Sequence, residues 1–166
     1  VQAGAGGVGS YAIQIAKHFG AWVATTCSAE NADYVRALGA DQVIDYKAQD
    51  FCAELSDIDI ALDVIGGQVN LDCYKVMKRG GVLLVVLRGD PVEIGNRERL
   101  MAEHGVTTKI VAFSAQPQIL DELRPLFESG AIKPPAIKVL PLDQAADAHA
   151  QAETGRARGK IVLKVR

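Results

Sequence analysis

Hydrophobic positions along the chain follow two spacings, one typical of helices and one typical of strands. Near the start, apolar residues recur three or four positions apart, at Val8, Ala12, Ile15, Ala16 and Phe19. This spacing predicts a helix with one apolar face, and Gly20 supplies its stop. Short runs rich in β-branched, aromatic and aliphatic residues predict strands at residues 22–26, 42–45, 58–64, 82–87 and 106–113.

Helices are predicted between and after these strands. Ser28 can cap a helix over 28–38, and apolar positions from 69 to 77 mark another helix, which Gly80-Gly81 would end. Residues 90–99 show a less regular pattern. The remaining pattern predicts a helix, a strand, a helix and a strand, at residues 117–128, 136–140, 142–152 and 160–165. Pro125 would kink or shorten the first of these.

Strands that alternate with helices of about ten residues are typical of βαβ units. The run at 82–87 is almost wholly apolar, as expected for a parallel strand that is covered on both faces. We therefore predict an α/β fold with a doubly wound parallel sheet of the Rossmann type, about six strands plus a C-terminal helix and strand. A length of 166 residues fits one such domain, residues 1–166.

Charge and cysteine content narrow the classes of function. Eighteen basic and twenty acidic residues give a net charge of −2 with no long block of one sign, which argues against a nucleic-acid or anionic membrane surface. Cys27, Cys52 and Cys73 are odd in number and widely spaced, which favours a reducing compartment over disulfides or a zinc site. No apolar run approaches the roughly 20 residues that cross a bilayer. We expect a soluble, cytoplasmic protein with no nucleic-acid and no membrane partner.

A glycine cluster before the first helix carries the candidate chemistry. Gly4, Gly6 and Gly9 fit the pattern G-x-G-x-x-G. In this motif the first glycine makes a tight turn, the second lets the backbone approach a pyrophosphate, and the third lets helix pack on strand. Free amides and the helix dipole would then face the negative charge. A glycine-rich turn without a ligand is the alternative, but the position inside a βαβ pattern favours a dinucleotide site.

The residues at the end of strand 22–26 bear on which dinucleotide would bind. NAD-binding proteins usually carry an acid there, about 20 residues after the glycines, for the ribose 2′-hydroxyl. Here Thr25-Thr26-Cys27-Ser28 occupies that place, and the missing carboxylate together with the Ser28 hydroxyl favours NADP. Glu30 could instead be that acid, or a solvated residue in a first helical turn. NADP is favoured, and NAD stays open.

Five segments together resemble the medium-chain dehydrogenase/reductase superfamily. They are residues 3–9 (AGAGGVG), 38–46 (LGADQVIDY), 63–67 (DVIGG), 80–81 (GG) and 159–163 (GKIVL). Within the superfamily, the chain resembles the zinc-independent quinone oxidoreductases and their zinc-type alcohol-dehydrogenase-like neighbours. The resemblance implies the cofactor domain of an enzyme that transfers hydride from NADPH or NADH to a quinone, enone or carbonyl substrate.

The resemblance also implies a set of residues along the cofactor. These are Gly4, Gly6, Gly7, Val8, Gly9, Ser28, Asn31, Tyr46, Val64, Ile65, Gly66, Val86, Leu87 and Phe113. The glycine turn would line the pyrophosphate, and Ser28 and Tyr46 would approach the 2′-phosphate. Residues 64–66 and 86–87 would border the adenosine and nicotinamide ribose, and the backbone at Phe113 would meet the carboxamide. NADPH-binding members commonly have lysine at the position of Asn31, and the loss of that cation keeps the cofactor preference open.

Simpler structural roles compete at several of these positions. Ser28 could be only an N-cap, Tyr46 could cover a sheet edge, and Phe113 could be core. Asp63 is expected to order the Gly66-Gly67 turn. No catalytic residue is assigned, and no metal site is expected from the scattered histidines His18, His104 and His149.

A separate N-terminal domain binds substrate in this superfamily, and zinc where zinc is used, and nothing in this chain resembles it. Only residues 1–3 precede the glycine turn, against a usual strand length of about five or six. We therefore expect the cofactor half of a longer enzyme, which binds dinucleotide but has little or no turnover alone. Because family members often dimerise through an edge strand of this domain, residues 106–113 are the candidate for a homodimer contact.

Two other classes of function stay open. Tyr74-x-x-x-Lys78 matches the catalytic pair of short-chain dehydrogenases, although it follows the glycine motif too closely for that family. A non-catalytic module that senses NAD(P) is the second class, because a fold does not determine a function.

Overall fold

The computed structural model describes residues 1–86, 91–112, 116–155 and 157–165. Within these ranges helices and strands alternate along the chain. They are α1 (Gly9–His18), β1 (Ala24–Cys27), α2 (Ala32–Ala37), β2 (Gln42–Asp45), α3 (Phe51–Glu54), β3 (Ile58–Asp63), α4 (Gln68–Val76), β4 (Met77–Val85), α5 (Pro91–His104), β5 (Thr107–Ile110), α6 (Pro117–Glu128), β6 (Ile137–Pro141), α7 (Ala145–Glu153) and β7 (Lys160–Lys164).

The main sheet is parallel throughout and is joined at its centre by the first residues of the chain. β1 pairs with β2, and β4 lies between β3 and β5. The amide of Gly4 donates to the carbonyl of Thr26 and that of Gln2 to the carbonyl of Leu62, both at 2.9 Å. Residues 1–4 therefore lie between β1 and β3, and the order is β2, β1, 1–4, β3, β4, β5. The predicted α/β class with a doubly wound parallel sheet is confirmed.

Two separate apolar clusters fill the space between helices and sheet. The first surrounds α4 and α5 and is centred on Tyr74, Leu83 and Val85. The second surrounds α1 and α2 and is centred on Ile13 and Val35. Chain crossovers run outward from residues 1–4 in both directions, and right-handed crossovers then place the two helix pairs on opposite faces. The region where the direction reverses is where α/β sheets bind ligands.

The last two strands form a sheet of their own. β6 and β7 pair in parallel, with Ile137 opposite Lys160, and the described strands show no pairing between them and the main sheet. A hydrogen bond of 3.1 Å from the Gly159 amide to the Ala5 carbonyl ties the start of β7 to the glycine loop. The C-terminal residues thereby reach the first turn of the fold.

The largest error in the sequence prediction is at residues 90–99, where α5 runs from Pro91 to His104. Proline is favoured at the first position of a helix, and Pro91 begins this one. Only Glu93 and Leu100 of α5 are buried, so the helix has no apolar stripe for a periodicity to detect. The single-turn helix α3 was also not predicted; Asp50 caps it by accepting a hydrogen bond from the Cys52 amide at 2.9 Å.

Only part of the predicted apolar face of α1 faces the core: Ala16 packs against the second cluster, and Ala12 and Ile15 are half-buried. Val8 and Phe19 are 45% and 78% exposed, whereas Ser10, Ile13 and Gln14 are buried. The orientation of α1 has a steric cause. The helix approaches residues 1–4 through its small residues Gly9 and Ser10, and this contact determines which face of the helix is buried.

Other boundaries differ from the prediction in detail. A 3₁₀ turn, Ala29–Asn31, precedes α2 where one continuous helix over 28–38 was predicted. Gly80-Gly81 does not end α4, because β4 begins at Met77 and contains both glycines, with Gly80 at a φ of 82°. Pro125 lies inside α6 without shortening it, since the helix reaches Glu128 as predicted. Strand 42–45 agrees with β2, and 106–113 is shorter than predicted at Thr107–Ile110.

Candidate dinucleotide site

The glycine loop lies at the carboxyl edge of the parallel sheet, between residues 1–4 and α1. A methyl group added at Gly9 would collide with the Ala3 carbonyl and lie 2.7 Å from Gly4 Cα. One added at Gly4 would lie 2.9 Å from Ile13 Cδ1 and collide with the Thr25 side chain. Both positions therefore require glycine for close approach, and at Gly9 this is the packing of helix on strand that the motif predicts.

Three consecutive amides at the start of α1 have no acceptor among the described residues. The Gly6 amide donates to Ala3 at 3.0 Å and the Ser10 amide to Gly6 at 3.0 Å, closing the loop and the first turn. In the described part of the chain, the amides of residues 7–9 donate to no acceptor. Such amides together with the helix dipole attract an anion.

A lysine from the other end of the chain covers this loop. The ammonium of Lys160 lies against Gly7, where an added methyl group would approach its Nζ to 2.5 Å. The adjacent hydrogen bond from Gly159 to Ala5 holds the backbone of β7 in place. The loop thus combines free amides with a cation, the pair of features that a pyrophosphate needs. The sequence places Lys160 in the family segment 159–163 and indicates no role for it.

A chain of polar contacts follows the end of β1. Ser28 is buried, and its Oγ donates to Glu30 Oε1 at 3.0 Å and accepts from Asn31 Nδ2 at 3.0 Å. Arg158 Nε donates to Asn31 Oδ1 at 2.7 Å, and its Nη2 donates to the Glu30 carbonyl at 3.0 Å. Ser28 occupies the N-cap position of the 3₁₀ turn Ala29–Asn31, as the alternative predicted, but its side chain makes no capping bond and joins this polar cluster instead. Arg158 brings to this place the cation that Asn31 does not supply.

Two tyrosines lie near this cluster. The guanidinium carbon of Arg158 is 5.3 Å from the centre of the Tyr34 ring. The Tyr34 hydroxyl accepts a hydrogen bond from the Ala136 amide at 3.3 Å. Tyr46 follows β2, is 57% exposed, and donates its amide to the Cys27 carbonyl at 3.2 Å. Arg158 and Tyr34 were missed by sequence reasoning because neither belongs to a local motif.

The turn after β3 is held from inside by two buried carboxylates. Asp63 Oδ1 accepts from the amides of Ile65 at 2.9 Å and Gly66 at 3.1 Å, as expected for a residue that orders the turn. Glu93 of α5, which is 2% exposed, accepts from the amide of Gly67. All three amides of residues 65–67 are therefore occupied, which leaves carbonyls and the half-exposed Ile65 side chain to face a ligand.

The predicted site residues meet along one edge of the sheet. Val86 joins the turn after β3 through its amide, which donates to the Asp63 carbonyl at 3.0 Å. Val64 and Gly66 belong to that turn, next to residues 1–4. The two remaining predicted residues, Leu87 and Phe113, lie outside the described residues.

The Tyr74 and Lys78 pair does not form a catalytic site. Tyr74 is 1% exposed in the core, and its hydroxyl lies 2.6 Å from Thr108 Oγ1. Lys78 lies on β4 and pairs with Asp59. A buried tyrosine that is already hydrogen-bonded cannot reach a substrate, so the short-chain dehydrogenase hypothesis fails.

The cysteines favour their neutral thiol form, and the described residues hold no cluster of candidate metal ligands. Burial raises the pKa of the Cys73 thiol to about 12 and that of Cys52 to about 11. In residues 1–86, 91–112, 116–155 and 157–165, no three histidine, cysteine, aspartate or glutamate side chains converge to hold a metal ion. Within the same ranges, no helix combines the length and apolar character needed to span a bilayer.

Comparison with known proteins gives the same architecture. A family model described as zinc-binding dehydrogenase matches residues 38–163. The chain is 34% identical to the mitochondrial NAD(P)H oxidoreductase RTN4IP1 of Bos taurus, over 96% of this chain and 46% of that relative. It is 37% identical to the chloroplastic NADPH-dependent alkenal/one oxidoreductase of Arabidopsis thaliana, over 96% and 38%. The quinone oxidoreductase from Coxiella burnetii has a TM-score of 0.88 at 32% identity, over 99% of this chain and 51% of that one. The chain thus spans about half the length of these proteins, or less.

Proposed function

The chain belongs to the zinc-binding dehydrogenase family of the medium-chain dehydrogenase/reductase superfamily, and on this basis we propose that it is the nicotinamide-dinucleotide-binding unit of an oxidoreductase. The observation that carries the proposal is the set of unoccupied amides at residues 7–9 beside the Lys160 ammonium. This loop fits a pyrophosphate, because amides and a cation oppose its negative charge without requiring any side chain in the turn.

The wider protein would transfer hydride to a quinone, an enone or another carbonyl compound. Support comes from the names of similar proteins, a quinone oxidoreductase and an alkenal/one oxidoreductase among them. The reduced nicotinamide supplies the hydride when it is bound. This chain's own part is to bind the dinucleotide across residues 4–9, with adenosine towards β1 and nicotinamide towards β3 and β4. Substrate would be held by a further domain, so the isolated chain would show little or no turnover.

NADPH is the preferred form of the cofactor in this proposal. Arg158 uses Nε and Nη2 to bond Asn31 and Glu30, and its Nη1 donates to no residue in the described part of the chain. A guanidinium with a remaining donor edge beside Ser28 suits a 2′-phosphate. The exposed Glu30 carboxylate would have to move aside for the phosphate, and it is also the group that could instead bind the 2′-hydroxyl of NADH.

Calorimetric titration with NADPH and NADH tests the binding function. We expect Lys160→Gln to weaken both dinucleotides by about tenfold, because a charge-assisted contact to the pyrophosphate is lost. Lys164→Gln, at an exposed position of the same strand, is the control and should leave both affinities unchanged. Absence of binding by the unaltered chain at millimolar NADPH and NADH would contradict the proposal, and rapid quinone reduction by the chain alone would contradict the expected lack of turnover.

The cellular setting is proposed from the cysteines. Cys27, Cys52 and Cys73 are all free thiols, which suits a reducing compartment such as the cytoplasm. The bovine relative is named as mitochondrial and the Arabidopsis relative as chloroplastic. Fractionation of cells that express the full-length protein would decide between these compartments.

A further inference from the structure

Tyr34 of α2 stands at the junction between the main sheet and the segment that leads into β7. Its ring lies under the Arg158 guanidinium, with 5.3 Å between the guanidinium carbon and the ring centre. Its hydroxyl accepts from the Ala136 amide, just before β6, at 3.3 Å. One side chain therefore contacts both the arginine and the backbone of the C-terminal sheet.

Arg158 needs such support if it is to act as a fixed anion contact. The residue is exposed, and its long side chain would otherwise sample many rotamers. Its two hydrogen bonds, to Asn31 and to the Glu30 carbonyl, lie in the plane of the guanidinium. The Tyr34 ring beneath the guanidinium adds a third contact to these two hydrogen bonds, and the negative face of the ring attracts the cation.

We propose that Tyr34 determines selectivity for NADPH over NADH by positioning Arg158. This inference rests on the proposed dinucleotide function and deepens it. Tyr34 is a positioning residue, since it acts on the ligand only through the guanidinium. The remaining donor edge of Arg158 would then be pre-oriented for the 2′-phosphate, the group by which NADPH differs from NADH.

Loss of the Tyr34 ring should therefore lower the affinity for NADPH and leave the affinity for NADH unchanged. A ligand without the 2′-phosphate gains nothing from an oriented Arg158, so its affinity should not depend on the ring at position 34. A change that merely loosened the fold would weaken NADPH and NADH together. The ratio of the two dissociation constants therefore separates positioning from a general structural role.

The two contacts of Tyr34 can be removed separately. Tyr34→Phe keeps the ring under Arg158 and loses the acceptor for the Ala136 amide. Tyr34→Met keeps a comparable apolar volume and loses both the ring and the acceptor. If the ring is what matters, the phenylalanine variant should behave like the unaltered chain and the methionine variant should not.

The experiment is calorimetric titration of the unaltered chain, Tyr34→Met, Tyr34→Phe and Arg158→Gln with NADPH and with NADH. We expect Tyr34→Met to weaken NADPH about three- to tenfold while NADH changes less than about twofold. Tyr34→Phe should stay within about twofold for both ligands. Adenosine 2′,5′-bisphosphate and 5′-AMP should repeat the pattern, which would locate the effect at the 2′-phosphate.

An unchanged NADPH-to-NADH ratio in Tyr34→Met, or equal loss of both ligands, would overturn the inference. Should Tyr34→Met fail to fold by circular dichroism, Tyr34→Leu takes the same measurement and is judged by the same ratio. If the unaltered chain binds neither dinucleotide, the proposed function itself fails. If Arg158→Gln abolishes the NADPH preference and Tyr34→Met does not, only the role of Tyr34 is refuted.

Discussion

Asp41, at the amino edge of the sheet, shows how one side chain joins three elements. Its carboxylate accepts from Lys17 Nζ of α1 at 2.8 Å and from the Val23 amide, just before β1, at 2.7 Å. Asp41 itself leads into β2. The hydrogen bond from Lys17, followed by that from Val23, lowers the pKa of this carboxyl below its ordinary value of 3.8. The charged form is therefore favoured more in the folded state than in the unfolded state.

The stability that Asp41 contributes should depend on pH in a defined direction. Because the folded pKa is the lower one, the contribution is complete above about pH 4 and is lost as pH falls through the folded pKa. Urea unfolding between pH 2.5 and pH 7 should show Asp41→Asn less stable than the unaltered chain above pH 4, with the difference shrinking in acid. Asp33→Asn, at a fully exposed carboxylate, is the control. A difference that grew as pH fell would contradict this assignment.

At the scale of elements, helix α1 meets the first segment of the chain at a distance that only glycine permits. Gly9 begins α1, and its Cα lies so close to Ala3 and Gly4 that no Cβ fits. Gly95 offers a comparison inside α5, because a methyl group added there would meet no described atom within 4 Å beyond its chain neighbours and the backbone of its own helix. The same substitution should therefore have opposite effects at these two helical positions.

Gly9→Ala should lower the free energy of unfolding by more than about 1 kcal/mol and weaken NADPH binding, since α1 must move away from the loop. Gly95→Ala should raise it by about 0.5–1 kcal/mol, because alanine restricts the unfolded chain and favours the helix. Urea unfolding of both variants, with calorimetric titration of NADPH, measures these effects. A stabilising Gly9→Ala would mean that the close approach is not a constraint.

The prediction of elements succeeded where a segment carries its own local pattern of apolar residues. β2 and α6 have the predicted bounds. A short β-branched run predicts β2, and an amphipathic segment of twelve residues predicts α6. α5 was missed, because it buries Glu93 rather than an apolar stripe. That burial depends on Gly67, which lies 26 positions earlier in the chain and comes near only when the sheet has formed.

For the whole molecule, the edge of the main sheet at β5 is a surface that another copy of the chain could cover. β5 pairs with β4 on one side, and in the described residues no strand pairs with its other side. Ile110 and Val111 are 51% and 43% exposed along this edge. A strand whose edge is unpaired tends to pair with another strand, and the family resemblance points to pairing at this place.

We expect the chain to dimerise through this edge. Multi-angle light scattering at high concentration should give twice the chain mass of 17.7 kDa. Ile110→Lys should shift the population towards monomer, because a charge at the edge opposes strand pairing. Ile119→Lys, on α6 and 43% exposed, is the control and should leave the mass unchanged. A monomer at every concentration would count against the dimer.

The sequence by itself determined the α/β class, the glycine turn and its place before a helix. These features follow from steric rules and periodicities that act over a few neighbouring residues. They can therefore be predicted from the sequence without knowledge of the fold. Only the tertiary structure decided which cationic side chains lie at the candidate site. Arg158 meets Asn31 across 127 positions, and Lys160 reaches Gly7 from the last strand. No local pattern encodes such contacts, because they exist only after β7 has been placed beside the first turn of the fold.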